Sequence, residues 1–118
     1  MWQSAILIAE LTYGLTRGFP KDELYGMTSQ LRRCSVSIAA NIAEGYGREV
    51  RGSFVQFLRI AQGSLKETET HLLLAERVGI VKRKQIADLL RHTDELGRML
   101  HSLIRSLQRK TAAEKSNG

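Results

Sequence analysis

Apolar residues recur at helical spacing along nearly the whole chain, in four blocks. In the first, about residues 2–17, Trp2, Ile6, Ala9 and Tyr13 form one stripe, and Ile8, Leu11 and Leu15 form a second beside it. Ala5 and Leu7 widen the apolar surface, leaving Gln3, Glu10 and Arg17 as the clear polar line. A helix apolar over most of its girth is covered on more than one side, which in a small chain points to a second subunit. Gly18-Phe19-Pro20 breaks the pattern, and Pro20 is placed to start a new helix.

The second block, about 21–46, carries Leu24, Met27, Leu31, Cys34, Ile38 and Ile42 on one stripe, with Gly45 and Gly47 as its stop. The third, about 53–78, opens on Ser53, which forms an S-x-x-Q capping pattern with Gln56. Its stripe is Phe54, Leu58, Ala61, Leu65, Leu72 and Ala75, and Gly79 ends it. The fourth, about 82–108, has the cleanest period: Ile86, Leu89, Leu90, Thr93, Leu96, Leu100, Leu103, Ile104 and Leu107. Residues 111–118 lack periodic apolar positions and are expected to be a loose tail after a single domain over 1–110. No strand or hairpin signal is present. Four helices joined by short connections predict an all-α, antiparallel up-down-up-down bundle.

At 118 residues, with 42% apolar and 25% charged residues, the chain is sized for one small domain. A single cysteine excludes an internal disulfide and fits a reducing cytoplasm. The apolar N-terminal run is broken by Glu10 and lacks a basic leader, so neither a signal peptide nor a membrane span is expected. The net charge is +6. Residues 1–50 hold five basic and five acidic residues, so the excess lies wholly beyond them. Residues 82–118 alone hold nine basic against four acidic residues. A basic end suggests a polyanionic partner.

The segments FPKDELYGMTSQLRRCSVSIAANIAEGYGR and FVQFLRIAQGSLKETETHLLLA resemble the four-helix bundle family encoded in intervening sequences of bacterial 23S ribosomal RNA genes. Leu96 to Leu100 also fit its last helix. The resemblance implies a helical bundle and a ring-shaped homo-oligomer, a pentamer. The family is similar to the accessory variability protein of diversity-generating retroelements, a basic pentamer that binds nucleic acid and the reverse transcriptase. Ala39 stands where the family usually has proline, so a kink expected in the second helix is softened. Family members carry several residues before the position of Trp2, whereas Met1 abuts it here, which implies a shorter first helix or a start further upstream.

Candidate chemistry is sparse. Arg32 and Arg33 match an R-R pair of the family and could grip phosphate. They point about 100° apart on a helix, which fits ion pairing better than a shared phosphate. Asn41, Glu44 and Gly45 match its N-x-x-E-G and are read as structural, with Glu44 one turn from Arg48. Gly45-x-Gly47 with Gly52 has neither the preceding strand nor the spacing of a nucleotide loop. Gly63, Ser64, Ala39, Ala40 and Ala43 suit close helix packing. His71, His92 and His101 follow Thr68, Leu89 and Arg98 at three residues, so the Glu-x-x-His of a di-iron bundle is missing. Cys34 lies on a core stripe. No catalytic residue, metal site or cofactor is therefore expected, and the chain is read as a non-enzyme.

The fourth helix is the candidate binding element. Lys84, Arg91, Arg98 and Arg105 recur every seven residues, with Arg83, Arg109 and Lys110 at its ends. Asp88, Asp94 and Glu95 partly neutralise its middle. A solvated, salt-bridged face explains the same pattern. Five copies of +6 around an axis would carry +30, a strong field for RNA or DNA. Arg48, near the second-to-third turn, and the Arg32-Arg33 pair of the second helix would add to it. The few aromatic residues predict backbone contact with little sequence specificity. The alternative is a protein adaptor, such as an accessory subunit of a reverse transcriptase.

Overall fold

The computed structural model describes residues 1–117 and is all helix, with no strand among the described residues. The four helices are α1 (Trp2–Thr16), α2 (Ser29–Tyr46), α3 (Arg51–Arg77) and α4 (Arg83–Asn117). α1 packs on α2 and α4, α2 on α3, and α3 on α4, which makes a four-helix bundle. The rod measures 57 × 22 × 20 Å, and its radius of gyration is 16.2 Å. A compact chain of this length would have about 13.5 Å. The 35 residues of α4 account for the elongation, since at 1.5 Å per residue they span about 52 Å.

The core follows the expected stripes in three helices. Leu31, Cys34, Ile38 and Ile42 are buried from α2, and Leu58, Ala61, Leu65, Leu72 and Ala75 from α3. Ile86, Leu89, Thr93, Leu96, Leu100 and Ile104 close it from α4. In α1 the inward stripe is Ala5, Ile8, Thr12 and Thr16, which takes only Ile8 from the two apolar stripes. The two threonines can face inward because their hydroxyls donate to carbonyls one turn back. Thr12 reaches Ile8 O at 2.8 Å, and Thr16 reaches Thr12 O at 2.8 Å. Trp2, Ile6, Leu7 and Tyr13 are left between 37% and 44% exposed.

Three boundaries differ from the pattern by two residues or more. The second block is not one helix from residue 21. A 3-10 turn at Lys21–Glu23 and a wide turn at Leu24–Thr28 precede α2, and Gly26 leaves helical geometry at φ −109°, ψ −110°. This shifts the phase and leaves Leu24 49% exposed. The Glu23 carboxylate accepts the Met27 N–H at 3.1 Å and steadies the kink. α3 begins at Arg51, two residues before the expected Ser53. Val50 is its N-cap without a side-chain bond, so Ser53 caps nothing. Its first turn is closed by the Phe54 N–H donating to Val50 O at 3.1 Å.

α4 runs through Thr111–Asn117 rather than giving way to a loose tail; Gly118, the last residue of that expected tail, lies outside the described residues. Helix formers Ala112, Ala113, Glu114 and Lys115 favour the extension. Arg51 at the start of α3 anchors it through a forked pair with Glu114 at 2.8 and 2.9 Å. α4 starts at Arg83, where the Gln85 side chain accepts the Lys82 N–H at 2.8 Å.

The α3 stop is as expected. Gly79 takes φ 85°, Gly79 N–H donates to Glu76 O, and Ile80 N–H donates to Ala75 O at 2.9 Å. This paired closure satisfies carbonyls that the helix end would otherwise leave free. No helix of the described residues is long and apolar enough to cross a membrane.

Candidate nucleic-acid interface

The basic residues of α4 divide into engaged and free sets. Arg83 forks onto Glu76 of α3 at 2.7 and 2.9 Å. Arg91 pairs with Asp88 and Glu95, and Arg98 with Asp94 at 3.0 Å. The Arg91 and Arg98 pairs sit three or four residues apart on an exposed face, and the Arg83 pair spans seven residues across the turn; such exposed contacts are weak and salt-screened. They still lower the charge that the line of Lys84, Arg91, Arg98 and Arg105 can present. Beside their guanidiniums, the Glu76 and Asp88 carboxyls are held below the usual carboxylate range.

The candidates near the second and third helices are engaged as well. Arg32 donates to Thr16 Oγ1 at 2.9 Å and lies 4.6 Å from the centre of the Tyr13 ring, tying α2 to α1. Arg33 bonds Gln30 and Glu67, crossing to α3. Arg48 pairs with Glu44 at 2.8 Å and covers the Phe57 ring at 4.7 Å. Asn41 donates to Ser37 O at 2.8 Å and to its Oγ at 3.0 Å, and Ser37 Oγ meets Ser64 Oγ of α3 at 2.8 Å. Gly45 is buried against α3, and a Cβ there would lie 3.0 Å from Phe54 and 3.3 Å from Phe57. It is a packing glycine inside α2; Gly47 caps the helix end.

The free cations gather near the far end of α4. A cleft of about 340 Å³ between α3 and α4 is lined by Arg59, Gln62, His101, Ile104, Arg105, Gln108, Arg109 and Ala112, with no acidic residue. His101, Arg105 and Arg109 follow at intervals of four, so they share one face of α4. Arg59 faces them from α3. Among the described residues, none of the three arginines lies within ion-pair distance of a carboxylate. Lys84 and Lys110 are exposed and equally unpaired among these residues, but neither lines the cleft. A second cleft shares Gln62 and His101 and continues along the same groove past Lys66 and Arg98, where Asp94 enters its lining. Arg59 was missed by the sequence reading because it sits beside the apolar stripe of α3 and joins Arg105 only through folding.

The family model for 23S rRNA-intervening sequence proteins matches residues 1–102. The chain belongs to that family. It is also similar to a Bacteroides thetaiotaomicron protein of unknown function from the S23 ribosomal protein family, whose crystal structure was determined at 1.70 Å resolution. The two are 29% identical with a TM-score of 0.73, over 86% of this chain and 92% of the other. No curated protein matches. In this member of the family, Arg105 and Arg109 lie beyond the matched segment, so the basic cleft combines a family helix with an extension of α4.

Proposed function

We propose that the chain is a non-enzymatic basic scaffold that binds RNA or DNA through phosphate contacts, with little sequence specificity. The observation that carries this reading is the acid-free cleft in which Arg59, Arg105 and Arg109 hold uncompensated guanidiniums. Forked donors with no internal acceptor are matched to phosphate oxygens. Seven aromatic residues in the whole chain leave few surfaces for base stacking, which favours backbone over base contact.

The scaffold is an up-down-up-down antiparallel bundle that closes into a ring-shaped homo-oligomer, a pentamer, acting in the cytoplasm. The apolar outer face of α1 supports that assembly, and repetition around an axis multiplies the charge of every cleft.

The test compares two triple variants in RNA binding across a salt series. Replacing Arg59, Arg105 and Arg109 with Gln should flatten the slope of log affinity on log salt by about 2–3, since each phosphate contact contributes roughly 0.7–0.9. Replacing Arg83, Arg91 and Arg98 should change it by less than about 1. The reverse ranking would move the interface to the heptad line, and unchanged slopes in both would remove it from α4. A protein retained by nuclease-treated chain in place of RNA would instead favour the adaptor role.

A further inference from the structure

Cys34 on α2 is buried, and two residues of α3 face it. Glu67 and His71 lie one turn apart, both half-buried. The sulfur, a carboxylate oxygen and an imidazole nitrogen lie within 4.8 Å of one another. His71 Nε2 is 3.4 Å from Glu67 Oε2. Its Nδ1 is sealed from solvent and has no hydrogen-bond partner among the described residues. A buried polar atom in that state is uncommon and calls for an explanation. The Thr68 hydroxyl lies 3.2 Å from the sulfur, placed to donate to it.

We propose that Cys34, Glu67 and His71 form a site for a single zinc ion between α2 and α3. One sulfur, one nitrogen and one oxygen donor suit zinc and disfavour the oxygen-seeking magnesium and calcium. Zinc bonds of about 2.3 Å to sulfur and 2.0–2.2 Å to nitrogen or oxygen place tetrahedral ligands about 3.3–3.6 Å apart. Separations up to 4.8 Å therefore close with modest side-chain movement.

On binding, the thiol S–H breaks, the sulfur–zinc bond forms, and the proton passes to water. Thiolate and carboxylate then balance the ion's double charge, and Thr68 steadies the sulfur from outside. Arg33, 3.1 Å from Glu67 and 63% exposed, is free to swing away as the ion arrives. Glu67, at 40% exposure, marks the entry side, where water completes the fourth position. A Glu-x-x-x-His spacing with a cysteine 33 residues earlier matches no short metal motif, so only the packing of α2 on α3 assembles it.

The test is a titration of chelator-treated protein with Co²⁺, followed by near-ultraviolet absorption and then by Zn²⁺ competition. The expected result is a thiolate-to-cobalt charge-transfer band saturating at one ion per chain and bleached by an equivalent of zinc. Cys34→Ala should abolish the band, and His71→Gln should weaken binding at least tenfold. His101→Gln should leave it unchanged, with circular dichroism reporting intact helix throughout. Cys34→Ser replaces Cys34→Ala if the latter does not fold. No band in excess Co²⁺, or the same band after loss of Cys34, overturns the site.

Discussion

Replacing Ile6 with Lys separates a solvated α1 face from an interface. Ile6 is 40% exposed in the single chain. There the lysine stem can lie along the same surface with its ammonium in water, so the fold should change by no more than about 0.5 kcal/mol. In the proposed ring, with the apolar outer face of α1 as its interface, the same position would be covered. Fully burying an isoleucine contributes about 1.5–3 kcal/mol, so the remaining 40% is worth roughly 0.6–1.2 kcal/mol per subunit. An ammonium left there without a partner adds about 3–5 kcal/mol of penalty. The sum, about 4–6 kcal/mol per subunit, is ample to dissociate an oligomer without unfolding the helices. Sedimentation velocity with far-ultraviolet circular dichroism reads both quantities. Wild type should sediment as a multiple of 13.3 kDa, and Ile6→Lys as a far smaller species with unchanged helix content. A variant that keeps the wild-type mass, or a wild type that is monomeric, would show that the apolar face of α1 is not an interface.

Other positions give sharper local tests. Gly79→Ala forces a side chain into φ 85° and should cost about 1–2 kcal/mol in urea unfolding; no loss would mean that the turn is not left-handed. Leu72→Ala empties a fully buried site and should cost about 2–5 kcal/mol, whereas a cost under 1 would place Leu72 outside the core. Arg51 holds the Glu114 carboxyl below its ordinary range, chiefly by hydrogen bonding. A carboxylate lowered in the folded state stabilises above its unfolded value, near pH 4.3, and that contribution fades as pH falls through the folded value. Thermal unfolding of Glu114→Gln should therefore diverge from wild type above about pH 4.3 and converge with it in stronger acid. A constant gap at all pH values would deny the pair.

Three of the four core stripes were legible because α2, α3 and α4 mix polar and apolar residues, so periodicity alone selects a face. α1 resisted the same treatment. With apolar residues nearly all round, its pattern could not say which side faces inward, and threonines with self-satisfied hydroxyls took the core. The kink at Gly26 was hidden because one glycine in a helical pattern is compatible with an unbroken helix. The acids that quench Arg91 and Arg98 stand three or four residues away and were visible in the sequence. The partner of Arg83 lies across a turn, and that of Arg51 lies 63 residues away. Arg59 and the Cys34–Glu67–His71 cluster were equally out of reach, since each exists only where two helices meet.

Phosphate recognition by the basic cleft is read by binding of RNA and duplex DNA to nuclease-treated protein of known mass, measured from low to high salt. Affinity for both should fall linearly on a log–log plot, with a slope that counts several phosphates per assembly. No binding at low salt by an intact oligomer would contradict it.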